Sequence, residues 1–234
     1  MTRVALVALA ALVLVAPGAG AGTRNVVLGR SVQGRAIEAV EVGDPHAARK
    51  VLVVGCIHGD ECAGIAVARR LEHMPPPRGV ELWIVESLNP DGRAAGTRAN
   101  ARGVDLNRNF PTGWRPLGGL YDSGPRSLSE PESLIAYRLI LRLRPAVSIW
   151  FHQHLSLVDG SGGDAALERR FARLAGVPFV RLPRYPGSVT TWENHALPGK
   201  TAFVVELPAG PLTSAQAARF AGAVLAVARP RAAA

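Results

Sequence analysis

The chain is constrained most by the stretch from Val51 to Leu71. An apolar run, Val51-Leu52-Val53-Val54, leads into Cys56-Ile57-His58-Gly59-Asp60-Glu61-Cys62. It continues as Ala63-Gly64-Ile65-Ala66-Val67-Ala68-Arg69-Arg70-Leu71. A buried strand of that kind followed by a helix requires an α/β sheet with the helix packed on one face. The connecting turn carries an imidazole and two carboxylates, and such turns at the carboxyl ends of strands are where open α/β sheets hold ligands. The spacing predicts a helix from Asp60 to about Glu72. Glu61 in its first turn would then face the same point as His58. An imidazole and a carboxylate converging in this way suit a zinc ion. Taken alone, a His-x-x-Glu pair at a helix start also reads as acids favoured by the helix dipole.

The remaining pattern alternates strands and helices. Strands are expected at Asn25–Leu28, Ala36–Val42, Glu81–Ser87, Ala146–Phe151 and Thr201–Val205. Helices are expected from Ser129 (as N-cap) to about Arg144, from Asp164 to Leu174 and from Leu212 to Ala228. Asn89-Pro90-Asp91-Gly92 reads as a turn, and Arg93 to Leu128 as a long loop of a length that usually serves function. The implied architecture is one α/β domain. Three strands end in reactive side chains: His58, His152 and Glu206. Strand ends on one sheet edge converge in space. His154 competes with His152, because alternate residues of an extended segment share a face. Glu206 closes the apolar run Phe203-Val204-Val205, where a carboxylate is costly unless it has a task or a partner. The long loop contributes Arg98, a cation suited to an oxyanion. It also carries Asn107-Arg108, whose amide and guanidinium suit a carboxylate.

Charge and cysteines narrow the classes. Of the 234 residues, 27 are basic against 18 acidic, a formal net charge of +9. The arginines are scattered and aromatic side chains few, which argues against nucleic-acid binding, while the basic charge would draw the protein to anionic cell-wall polymers or membrane surfaces. Residues 1–21 carry Arg3, the apolar run Val4–Ala16 and the small-residue segment Ala19-Gly20-Ala21, the pattern of a cleaved signal peptide rather than a span. A secreted or periplasmic location follows, with residues 22–234 as the mature domain and no stable membrane insertion after cleavage. Cys56 and Cys62 are expected to be buried free thiols, because the geometry of a bridge is demanding.

These motifs, in this order, together with Gly29-Arg30-Ser31-Val32-Gln33-Gly34-Arg35 and Gly103-Val104-Asp105-Leu106-Asn107-Arg108-Asn109-Phe110-Pro111, resemble the zinc carboxypeptidase family. Within it they are similar to the short bacterial murein peptide amidases, which cut γ-D-glutamyl-diaminopimelate bonds. The resemblance implies a mixed, mostly parallel twisted sheet of about eight strands flanked by helices. It implies Zn²⁺ held by His58, Glu61 and His152, with Glu206 as general base and Arg98 polarising the carbonyl. Asn107 and Arg108 would bind the carboxylate of the released residue, and Tyr185 is a candidate for the family's mobile tyrosine. A monomer acting on peptide or muropeptide substrates is expected, with no nucleic-acid partner. Two rivals are a zinc-dependent N-acyl amino acid deacylase of the succinylglutamate desuccinylase or aspartoacylase kind and a non-catalytic cell-wall binding protein.

Overall fold

A computed structural model of the chain describes residues 22–230. The expected signal segment lies outside these residues. Seven strands form one twisted sheet: β1 (Gly22–Arg30), β2 (Ala36–Gly43), β3 (Arg49–Val54), β4 (Val80–Val85), β5 (Val147–Asp159), β6 (Phe179–Val180) and β7 (Thr201–Pro208). The order is β1-β2-β4-β3-β5-β6, with β7 also paired to β5. β2 runs antiparallel to β1 and β4, whereas β3 is parallel to β4 and β5.

The count is seven rather than about eight because β5 is a single strand that meets β7 twice. From Val147↔Thr201 to His154↔Pro208 the partners rise in step. From Leu157 onward they fall: Leu157↔Glu206, Val158↔Val205, Asp159↔Val204. The strand has turned back, so Glu206 has His152 on one side and Leu157 on the other.

Six helices cover the sheet: α1 (Gly64–Glu72), α2 (Pro90–Ala95), α3 (Pro131–Leu143), α4 (Ala165–Ala175), α5 (Val189–Ala196) and α6 (Ser214–Ala228). Alternation along the strands sorts the core into two layers. Val51, Val53, Ile149, Phe151, Phe203 and Val205 pack with Val67, Phe171 and Phe220 of α1, α4 and α6. Leu52, Val54, Trp150 and Val204 pack with Leu139 and Ile140 of α3 and Trp192 of α5. Each fully buried large side chain adds roughly 2–3 kcal/mol of hydrophobic stabilisation. His152 and Glu206 share the parity of Trp150 and Val204, so both belong to the α3/α5 face of the sheet.

Several local expectations shift. The helix after His58 starts at Gly64 rather than Asp60. The Asn89 turn is the start of α2, with the Asn89 side chain accepting from Gly92 N. α3 is flanked by Glu130 rather than capped by Ser129, whose hydroxyl donates to Glu130 instead. The 214–228 helix gains a Thr213–Gln216 capping box. α5 and β6 were not anticipated, being short segments among glycines and prolines.

Glu193 on α5 is fully buried and accepts a hydrogen bond from the Ser148 hydroxyl. Burial pushes its pKa up to about 7. A carboxyl raised in the folded state stabilises below its unfolded pKa, and that contribution is lost as pH rises towards 7. Substituting Glu193→Gln is therefore expected to change Tm more favourably, relative to wild type, at pH 8 than at pH 5. An identical Tm difference at both pH values would show that Glu193 does not titrate in this window.

Candidate functional site

The turn after β3 is shaped by close backbone packing. The Glu61 amide donates to the His58 carbonyl at 3.0 Å, which brings the two side chains together ahead of the helix. A Cβ on Gly59 would lie 1.9 Å from the Gly92 carbonyl carbon, so only glycine lets this turn rest on α2. Cys56 and Cys62 are joined in a disulfide with Cα atoms 4.7 Å apart, contrary to the free thiols expected. The compact 57–61 turn folds the chain back and brings the Cα atoms within bridging range.

Three side chains converge here. His58 Nδ1 is 3.0 Å and His152 Nδ1 2.9 Å from Glu61 Oε2. His58, Glu61 and His152 offer donor atoms that all lie within 4.8 Å of one another, an arrangement able to hold a metal ion. His154 is exposed and outside this group, although it lines the same cavity. Gln153 is fixed there, accepting from Ala63 N and donating to the Pro208 and Gly210 carbonyls.

A residue not singled out from the sequence ties the site together. Asp105 is fully buried. Its Oδ1 lies 2.9 Å from His58 Nε2, and its Oδ2 accepts from Arg98 Nε at 3.0 Å. Asp105 also caps the short 3-10 turn Leu106–Arg108 through the Asn107 amide. Arg98 donates onward to Glu61 Oε1 at 2.6 Å. The signal that could have found Asp105 is its place two residues before Asn107-Arg108, in an apolar setting where a carboxylate needs partners. Burial works against ionisation of Glu61 and Asp105, yet both are held well below the usual carboxylate range. Hydrogen bonds from His152 and His58 do this for Glu61, and the charges of His58 and Arg98 for Asp105. Burial lowers the pKa of His58, but Asp105 and Glu61 more than compensate and raise it.

The long loop is ordered by buried amides. Asn100 Nδ2 reaches Glu130 and Glu132, and Asn109 Nδ2 reaches the Ser123 and Arg126 carbonyls. The loop delivers Asn107 and Arg108 to a cavity of about 330 Å³ shared with His58, Glu61, Arg98, His152 and Glu206. Asn107 Oδ1 accepts from Val189 N, and the Arg108 guanidinium lies 5.2 Å from the Tyr121 ring and 4.4 Å from the Tyr185 ring. Tyr121 joins the site unpredicted, stacked on Tyr185 at 6.2 Å. Gly29–Arg35 lies outside the cavity. Its turn instead grips Asp91 of α2 through Ser31 Oγ, Gln33 N and Arg35 Nη1.

Buried Arg108 Nε and Glu206 Oε2 have no hydrogen-bond partner among the described residues, and both side chains line the cavity. Burial raises the Glu206 pKa, opposed by the nearby His152. Two imidazole nitrogens and one carboxylate oxygen, with the Asp105 carboxylate behind one imidazole, could hold a metal ion, and such a set of three protein donors fits a catalytic better than a structural zinc site.

Comparisons with known proteins bear on the family and the fold. The signature of the zinc carboxypeptidases matches residues 19–74, and that of the succinylglutamate desuccinylase/aspartoacylase catalytic domain matches residues 47–130. The murein peptide amidase A of Vibrio campbellii is 34% identical over 174 residues, 67% of this chain and 68% of that protein. The crystal structure of a murein-tripeptide amidase from Escherichia coli O157 superposes with a TM-score of 0.72 at 26% identity, covering 93% of this chain and 96% of that one. Carboxypeptidase A from Helicoverpa armigera shares the fold, with a TM-score of 0.74 at 18% identity, covering 88% of this chain and 68% of that one.

Removing the carboxylate behind His58 is expected to weaken metal binding. Asp105→Ala should lower zinc affinity by roughly 10- to 100-fold in a chelator competition. Unchanged affinity would mean that His58 needs no such support.

Proposed function

Because this chain belongs to the zinc carboxypeptidase family, we propose that it is a zinc-dependent hydrolase that cuts an amide bond next to a free carboxylate in peptidoglycan-derived peptides. The observation that carries this reading is the single cavity that holds the His58–Glu61–His152 donor set, the unpartnered Glu206 oxygen and the unpartnered Arg108 donor together. His58, Glu61 and His152 would hold the zinc. When bound, the ion supplies a Lewis acid for the scissile carbonyl and lowers the pKa of water. Glu206 accepts the proton of the attacking water as its oxygen adds to the carbonyl carbon. It returns that proton to the leaving nitrogen as the C–N bond breaks, so one carboxylate serves as base and then acid. Arg98 faces the oxygen that gains charge. Arg108, stacked on Tyr185, pairs with the carboxylate of the released residue, and Asn107 adds an amide donor. An exported location fits a peptidoglycan substrate, and the net charge of +9 suits an anionic envelope.

The desuccinylase/aspartoacylase signature over residues 47–130 supports a second reading, release of a small acid from an N-acyl amino acid. Incubating the zinc-loaded protein with muropeptide tripeptides and with N-succinyl- and N-acetyl-amino acids separates the two by product mass. Tripeptide cleavage is expected; cleavage of the acyl amino acids alone would establish the deacylase. Substituting Glu206→Gln should lower kcat by roughly 10²- to 10⁴-fold while zinc stays bound. Near-normal turnover in that variant would remove Glu206 from its role as base.

A further inference from the structure

Two of the three proposed metal ligands stand on irregular backbone. His152 belongs to β5, but His58 and Glu61 lie between the end of β3 at Val54 and the start of α1 at Gly64. The Cys56–Cys62 disulfide brackets this turn. Cys56 stands just before the Ile57-His58 pair, and Cys62 directly follows Glu61. Both sulfurs rest against the His58 carbonyl oxygen, Cys56 Sγ at 3.1 Å and Cys62 Sγ at 3.5 Å, and Cys62 Sγ is 3.3 Å from the Gly59 carbonyl oxygen. Each end of the bracket is anchored from outside the turn. The Cys56 carbonyl accepts from Leu88 N at 2.8 Å, and the Cys62 carbonyl accepts from Ile65 N of α1 at 3.1 Å. The bond therefore joins two fixed ends and closes a short ring around both ligands. Cys56 is fully buried, whereas Cys62 is half-buried.

Asp105 and Arg98 hold the His58 and Glu61 side chains; the disulfide acts on the backbone beneath them. A segment that is loose without metal has to be ordered when the ion binds, and that cost lowers affinity. A covalent ring removes much of it in advance. We propose that Cys56 and Cys62 are a positioning pair for the metal ligands, so that the disulfide-bonded protein holds zinc more tightly than the reduced one. This rests on the reading of His58, Glu61 and His152 as zinc ligands. The effect is mutual: zinc on the site stabilises the disulfide by the same factor by which the disulfide favours zinc. Reduction runs through the accessible sulfur. A thiolate of a dithiol reductant attacks Cys62 Sγ, the S–S bond breaks, and its electron pair leaves on Cys56 Sγ, which takes up a proton. The reductant's second thiol then displaces Cys62 Sγ as a thiol. Two electrons and two protons reach the protein, and the reductant ends as a cyclic disulfide. Under reducing conditions, where such bonds do not persist, the site would hold zinc weakly until the bridge formed.

The test measures zinc affinity by chelator competition, well below Tm, for three forms: the oxidised protein, the same protein reduced and freed of reductant, and the Cys56→Ala/Cys62→Ala variant. Reduction and the double substitution should each weaken zinc binding by on the order of 10-fold, with about 50-fold the limit for fixing a loop this short. The reduction potential of the disulfide is then read in dithiol buffers, with free zinc set by a chelator. Saturating zinc should make it more negative by about 30 mV for each tenfold difference in affinity. A bridge that only stabilises the fold would lower Tm when removed but leave zinc affinity and the potential unmoved, which would overturn the proposal. Equal or tighter zinc binding by the reduced protein would also overturn it, while zinc binding by the oxidised protein would keep the ligand assignment. Zinc binding by neither redox form would sink both. If the double variant fails to fold, the two redox forms of the unaltered chain carry the same comparison.

Discussion

The Asp105 carboxylate, shared between His58 and Arg98, is the interaction on which the rest of the site depends. One oxygen meets the imidazole nitrogen that faces away from the proposed metal position; the other takes the Arg98 Nε–H. That sharing couples the turn after β3 to a loop distant in sequence. It selects the His58 tautomer that leaves Nδ1 for a metal, and it aims Arg98 at the same cavity. Fully buried, Asp105 stays ionised only because both partners are cationic or can become so. Removing either partner would leave a charge without compensation, so the constraint is mutual.

The sheet supplies the second constraint. β7 is paired with β5 on both sides of Glu206, so the proposed base is held between a proposed metal ligand and the wall that leads to Asp159. Ile149 of β5 and Phe203 of β7, direct partners in that pairing, are fully buried. At the carboxyl edge of the sheet the Arg98–Arg108 loop lines one side of the cavity. The proposed catalytic groups are thus carried by strands and a stapled loop, and the tyrosines beside Arg108 are more exposed.

Much of this was legible in the sequence because strand-terminal histidines and carboxylates break an otherwise apolar pattern. His58, Glu61, His152, Glu206, Arg98, Asn107 and Arg108 all reach one cavity. What was not legible depends on contacts distant along the chain. Asp105 looked like one more acid in a polar loop until His58 and Arg98 met it. The Cys56–Cys62 bridge requires the tightness of the 57–61 turn, and α2 lies so close to that turn that only glycine fits at position 59. The second meeting of β5 with β7 has no periodic signature, because a strand that turns back keeps its alternation while changing edges.

X-ray absorption at the zinc edge of the purified protein tests the central claim most directly. The account predicts one zinc per chain, bound only by nitrogen and oxygen at about 2.0–2.2 Å, two of the ligands imidazoles. A sulfur shell near about 2.3 Å, or no stoichiometric zinc after loading, would contradict it.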